Sequence, residues 1–140
     1  MEYPDSNAEC KMLLNRSGKN PFDSVNCIVS KNEFLEMQSE VQNVFVSDDM
    51  AGYIVSLISA TRKHPLISRG ASPRATLSLS DMAKAVAFAE GRDYIVPRDV
   101  QNIFICTVNH RIILNAKASA SKKNSEEILK TSMDYIRANV

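Results

Sequence analysis

Residues 70–100 read GASPRATLSLSDMAKAVAFAEGRDYIVPRDV, and two helices are bracketed within them. Ser72 suits an N-cap and Pro73 the first helical position, after which Ala75, Leu79, Met82 and Val86 recur as one apolar stripe. Gly91 stops that helix. Pro97 opens the next, which turns Val100, Ile103, Phe104 and Val108 inward and carries Asp99 in its first turn, against the positive end of the helix dipole. Only the tight connection Gly91-Arg-Asp-Tyr-Ile-Val-Pro97 lies between them.

The same periodicity extends in both directions. Ser6 and Glu9 read as a capping box ahead of Cys10, Leu13 and Leu14, with Gly18 just beyond, giving a helix near residues 6–16. After a loop containing Pro21, Ser30 and Glu33 form a second capping box, and Phe34, Met37, Val41 and Val44 line one face of a helix near 30–43. Val44 to Val46 reads as briefly extended. The cluster Ser47, Asp48, Asp49 opens a helix carrying Met50, Tyr53, Ile54, Leu57 and Ile58, which ends before Pro65. Residues 115–125, NAKASASKKNS, are polar, small and basic and read as a flexible linker. A last amphipathic helix near 126–137 follows, through Ile128, Leu129, Ser132, Tyr135 and Ile136. The fold class is all-α, a bundle of about five to six helices, divided into a body over 1–114 and a linker with its C-terminal helix over 115–140.

At 140 residues, 44% hydrophobic and 24% charged, the chain has the composition of one globular domain. Seventeen Lys+Arg against sixteen Asp+Glu leave a net charge of +1, which argues against a nucleic-acid partner held by charge. No apolar run approaches the roughly 20 residues of a membrane helix and no secretory signal opens the chain, so a cytoplasmic protein without a membrane partner is expected. Cys10, Cys27 and Cys106 form no disulfide framework or zinc motif and read as buried small hydrophobes; no metal site is expected. Charge is uneven. Residues 30–49 hold Glu33, Glu36, Glu40, Asp48 and Asp49 against Lys31 alone, whereas 50–80 concentrate Arg62, Lys63, Arg69 and Arg74 at what should be a positive end of the bundle.

The signatures GxxxxGK[ST], GxGxxG, GxSxG and HExxH are all absent. His64, in a basic turn before a proline, and His110 read as surface or core histidines rather than bases. One local arrangement has a chemical logic: Gly70-Ala-Ser-Pro-Arg-Ala75 builds a helix N-terminus and sets an arginine in its first turn. Free N–H groups there favour an anion, and helix end plus arginine suggests a phosphate. The alternative is that Arg74 points to solvent or pairs with an acid of the 30–49 region.

Several short strings in a fixed order resemble one family, the C-terminal lid of MoxR-type AAA+ ATPases. Tyr3-Pro-Asp-Ser-Asn-Ala-Glu9 with Met12-Leu-Leu14 is similar to the entry to that lid, and Tyr53-Ile54 with Ala60-Thr-Arg62 to its YI…ATR. Gly70 to Ala75 is similar to its GASPRA, Ala83-Lys-Ala85 with Gly91-Arg-Asp-Tyr94 and Asp99-Val100 to AKA…GRDY…DV, and His110-Arg111 to its closing HR. Arg69 departs from the family, which is apolar there, and nothing beyond Arg111 matches.

The resemblance implies that Arg74 is the sensor-2 arginine, the catalytic and nucleotide-binding residue of the lid, with Ser72 beside it at the nucleotide. It implies ATP and Mg2+ as cofactors, and a P-loop core, Walker-B acids, sensor 1 and arginine finger upstream of Met1, so that this piece alone does not hydrolyse ATP. The implied partners are that core, neighbouring subunits of a homo-oligomeric ring and a protein with a von Willebrand A-type domain; the implied output is chaperone-like remodelling or activation. Two other readings stand beside it. One is a stand-alone helical adaptor whose GASPRA only caps a helix; the other is a histone-fold-like module, because residues 91–100 also resemble the turn between the last two helices of that fold.

Overall fold

The computed structural model describes residues 3–15 and 20–139, and the chain divides into two compact units, Met1–Phe34 and Leu35–Val140. The first holds α1 (Ser6–Asn15), a 3-10 turn at Pro21–Ser24 and the start of α2 (Lys31–Asn43). The cap of α1 is Asp5, one residue ahead of the expected Ser6: its Oδ1 accepts the Ala8 N–H at 2.7 Å. Arg16 and Gly18, the expected end of this helix, lie outside the described residues. The box at α2 forms as expected, Ser30 Oγ accepting from the Glu33 N–H at 3.2 Å and Glu33 accepting from the Ser30 N–H at 2.8 Å. Those bonds hold the Glu33 carboxyl below its ordinary range. No residue of α2 is buried; Phe34 and Met37 of the expected inner face stand in solvent.

The second unit is built on three helices, α3 (Asp48–Lys63), α4 (Pro73–Ala89) and α5 (Pro97–Val108). Ser47 caps α3 by accepting the Met50 N–H at 3.2 Å, and Met50, Tyr53, Ile54, Leu57 and Ile58 are buried as the periodicity requires. On α4 the buried stripe is Ala75, Leu79, Ala83 and Ala87, not the expected line through Met82 and Val86. Met82 is 47% exposed. Small residues at four-residue spacing let α4 lie close against α5, its main partner. α5 buries Val100, Phe104 and Val108 as expected, and also Asp99 and Thr107. At the far end of this unit Phe45 forms a parallel bridge with Tyr94, so the stretch after α2 is extended as read.

Residues 115–125 are not a flexible linker. Asn115 accepts the Lys117 and Ala118 N–H groups at 3.0 and 3.2 Å, donates to the Pro65 carbonyl at 2.8 Å, and opens α6 (Ala116–Ala120). Ala118 is buried in a small cluster with Ile67 and Ile128. α7 (Ser125–Asn139) then packs on α3 and α5, with Leu129 in the main apolar cluster. Two short strands, β1 (Ile67–Arg69) and β2 (Ile113–Leu114), pair antiparallel. The described residues thus carry seven α-helices and this small ladder, an all-α fold with one more helix than the sequence suggested. None of these helices is long and apolar enough to cross a membrane. All three cysteines are exposed rather than buried, Cys106 lying on the solvent side of α5, away from Phe104 and Val108.

Candidate functional site

The positive end of the second unit forms where α3 ends and α4 begins. Arg62 and Lys63 occupy the last turn of α3, where cations are favoured by the helix dipole. His64 is the C-cap, and its Nδ1 accepts the Leu66 N–H at 3.2 Å. Burial, aided by the charge of Lys123, pushes the His64 pKa down and favours the neutral ring this bond needs. The chain then runs through β1, where Ser68 Oγ donates to the Ile113 carbonyl at 3.0 Å, and returns to α3 at Gly70.

That return is close. A Cβ on Gly70 would stand 2.6 Å from Arg62 Cα and 2.7 Å from Arg62 N, so only glycine lets the segment approach the helix backbone. The next residue, Ala71, is buried, and both its polar backbone groups are taken by α3 side chains. Its N–H donates to Thr61 Oγ1 at 3.0 Å, and its carbonyl accepts from Arg62 Nε at 2.8 Å. Thr61 Oγ1 in turn donates to the Ile58 carbonyl at 2.6 Å, which fixes its hydroxyl. Thr61 stood out in the sequence only as part of a string, and Arg62 as that and as one charge of the positive end; their clamp on Ala71 links residues nine and ten apart and left no periodic signal.

From this anchor α4 starts. Ser72 takes the extended N-cap conformation, but its side chain makes no capping hydrogen bond. Pro73 occupies the first helical position, Ala75 is buried, and Ser72 and Arg74 are exposed. Arg74 forms no hydrogen bond or ion pair with the described residues, and the ion pairs among them are those of Arg92 with Glu90 and Asp99. Within its own unit it therefore does not pair with Glu36, Glu40, Asp48 or Asp49. Arg62, Lys63, Arg69 and Arg74 are all exposed, and the clamp brings Arg62 to the foot of α4. Pro73 has no N–H and the Ala75 N–H donates to the Ser72 carbonyl at 2.9 Å, so what suits a phosphate here is the unengaged Ser72 hydroxyl and a guanidinium with no partner among the described residues, set at the positive end of α4.

A family model described as the AAA lid domain matches residues 59–132, a span that contains the clamp and α4. The chain belongs to the AAA lid domain family. Relatives of this lid include the uncharacterized protein YeaC of Bacillus subtilis, 33% identical over 140 residues, all of this chain and 44% of that one. The chaperone MoxR1 of Mycobacterium tuberculosis is 30% identical over 136 residues, 91% of this chain and 36% of its own length. A crystal structure of a "putative ATPase" from Cytophaga hutchinsonii superposes with a TM-score of 0.79 and 35% identity, over 96% of this chain and 43% of that one. The lid thus spans less than half the length of these proteins, and the MoxR resemblance read from its motifs is borne out.

Proposed function

We propose that this lid couples ATP binding and hydrolysis, performed by a P-loop core outside these 140 residues, to a conformational change that remodels or activates partner proteins. One observation carries this reading: Arg74 stands exposed and without a described partner in the first turn of α4, on a segment locked to α3. A free guanidinium beside a helix N-terminus meets the developing charge on a γ-phosphate at no cost of breaking an existing ion pair. Arg74 would contact that phosphate, and the Ser72 hydroxyl, free of capping duty, would reach the same oxygens. ATP supplies the bond that is broken and Mg2+ neutralises its phosphates. No group of three His, Cys, Asp or Glu among the described residues could hold a metal, so the ligands of Mg2+ would come from the core.

The likeness to the Cytophaga protein described as an ATPase and the name of the mycobacterial chaperone support an ATPase of chaperone type. Its partners would be its own core, neighbouring subunits of a homo-oligomeric ring and a protein bearing a von Willebrand A-type domain, in the cytoplasm. The 140 residues alone, lacking a P-loop, would not hydrolyse ATP and would bind it with at best about millimolar affinity. In the full-length protein, Arg74→Ala should lower ATP turnover at least about tenfold. Since Arg74 is exposed, the same change should move the stability of the lid by less than about 0.5 kcal/mol. Unchanged turnover in a protein that still binds ATP would remove the role assigned to Arg74.

A further inference from the structure

We infer that Thr61 and Arg62 are positioning residues for Arg74: by clamping Ala71 from both sides they fix the first turn of α4 to α3. The inference rests on the nucleotide role proposed for Arg74. The two bonds to Ala71, 3.0 Å to its N–H and 2.8 Å to its carbonyl, lie at its two peptide groups and fix their orientation as well as their position. Apolar burial of Ala71 could hold its side chain, but it would leave those planes free to tilt. Gly70 closes the gap behind it, because any side chain there meets the Arg62 backbone.

Between the clamp and Arg74 stand only Ser72 and Pro73. Ser72 is held extended at φ −76 and ψ 168, and the proline ring fixes its own φ. Ala75, immediately beyond, is fully buried. Arg74 therefore projects from a backbone pinned on both sides, and the last turn of α3 and the first of α4 move as one body. A rotation of α3 is carried directly to the guanidinium. Arg62 is suited to this by its planar fork: Nε serves the Ala71 carbonyl while the stem lies along the glycine.

The test is a set of double-mutant cycles in the full-length protein, reading kcat and KM for ATP. Thr61→Val keeps the shape and removes the acceptor; Arg62→Met keeps the stem and removes the donor. Each should lower kcat about tenfold and raise KM for ATP, as displacement of a group that holds the γ-phosphate in the bound state does. Thr61→Ser, which retains the hydroxyl, should keep at least about half of the wild-type kcat. On an Arg74→Ala background neither Thr61→Val nor Arg62→Met should change kcat by more than about twofold, because the residue they position is gone. Equal fold losses with and without Arg74 would overturn the inference while leaving the role of Arg74 intact. No loss from Arg62→Met alone would also overturn it, and that exposed site decides the matter if Thr61→Val fails to fold. An Arg74→Ala protein with normal kcat overturns the inference and the nucleotide role together.

Discussion

Asp99→Ala lowers the stability of the lid by about 3 kcal/mol on this account. Asp99 is 1% exposed and accepts three hydrogen bonds: from Arg92 Nη1 at 2.8 Å, from Arg92 Nη2 at 2.6 Å and from the Val96 N–H at 2.8 Å. The bidentate pair joins the foot of α5 to the turn that leaves α4, and the same arginine donates to the Tyr94 carbonyl at 2.9 Å and to Glu90 at 2.7 Å. Removing the carboxylate takes two bonds from a largely covered guanidinium, leaving it those to Tyr94 and Glu90, and strips the Val96 N–H of its partner. Burial, the largest single influence, pushes the Asp99 pKa up, but the bonds from Arg92 and Val96 and the charges of Arg92 and Arg98 together bring it below the ordinary aspartate range.

A carboxyl more acidic folded than unfolded contributes stability that is complete above its unfolded pKa, near 4, and is lost as pH falls through its folded pKa. The gap in stability between wild type and Asp99→Ala should therefore narrow below about pH 4. His64 acts in a higher window: its lowered pKa favours the fold above about 6.5 and ceases to do so as pH falls through the folded value. Denaturant melts of both proteins at pH 7 and pH 3 check this; a gap of equal size at the two values would show that the ion pair is not its source.

Gly70→Ala should cost about 2 kcal/mol, the second largest effect expected of a single substitution here. The added carbon would meet Arg62 Cα at 2.6 Å, Arg62 N at 2.7 Å and Arg62 Cγ at 2.8 Å. Two of those atoms are helix backbone and cannot swing aside. The segment must lift from α3, stretching both bonds to Ala71, so ATP turnover in the full-length protein should fall with stability. Gly52 is the control. It lies exposed in α3 with nothing within 4 Å of a built Cβ, and Gly52→Ala should stabilise the helix by about 0.5–1 kcal/mol. Thermal melts of the two variants moving in the same direction would contradict the packing described at Gly70.

How far the sequence could be read follows from which forces left a local trace. The starts of α3, α4 and α5 were legible, because the Ser47 cap, Pro73 and Pro97 act on their own neighbours. The inner face of α4 was legible only at Ala75 and Leu79, since Ala83 and Ala87 carry little apolar weight and Met82 carries much. Only the approach of α5 selects the small residues. α6 was hidden for the same reason: its sole buried side chain is Ala118, covered by Ile67 and Ile128 from distant parts of the chain. Asp99 was read as a charge against a helix dipole, and its bond to Arg92 across the intervening turn was missed. At the site, the helix start at Ser72 and the candidacy of Arg74 came from six consecutive residues, while the clamp of Thr61 and Arg62 on Ala71 needed the fold to bring α3 back beside it.

The central claim, that Arg74 reaches the γ-phosphate from the lid, is tested most directly by comparing two nucleotides. Affinities of the full-length protein for ADP and for a non-hydrolysable ATP analogue would be measured by calorimetry, in wild type and in Arg74→Ala. The account predicts a loss of about tenfold for the analogue, about 1.4 kcal/mol, and none for ADP. Equal losses for both nucleotides, or none for either, would contradict it.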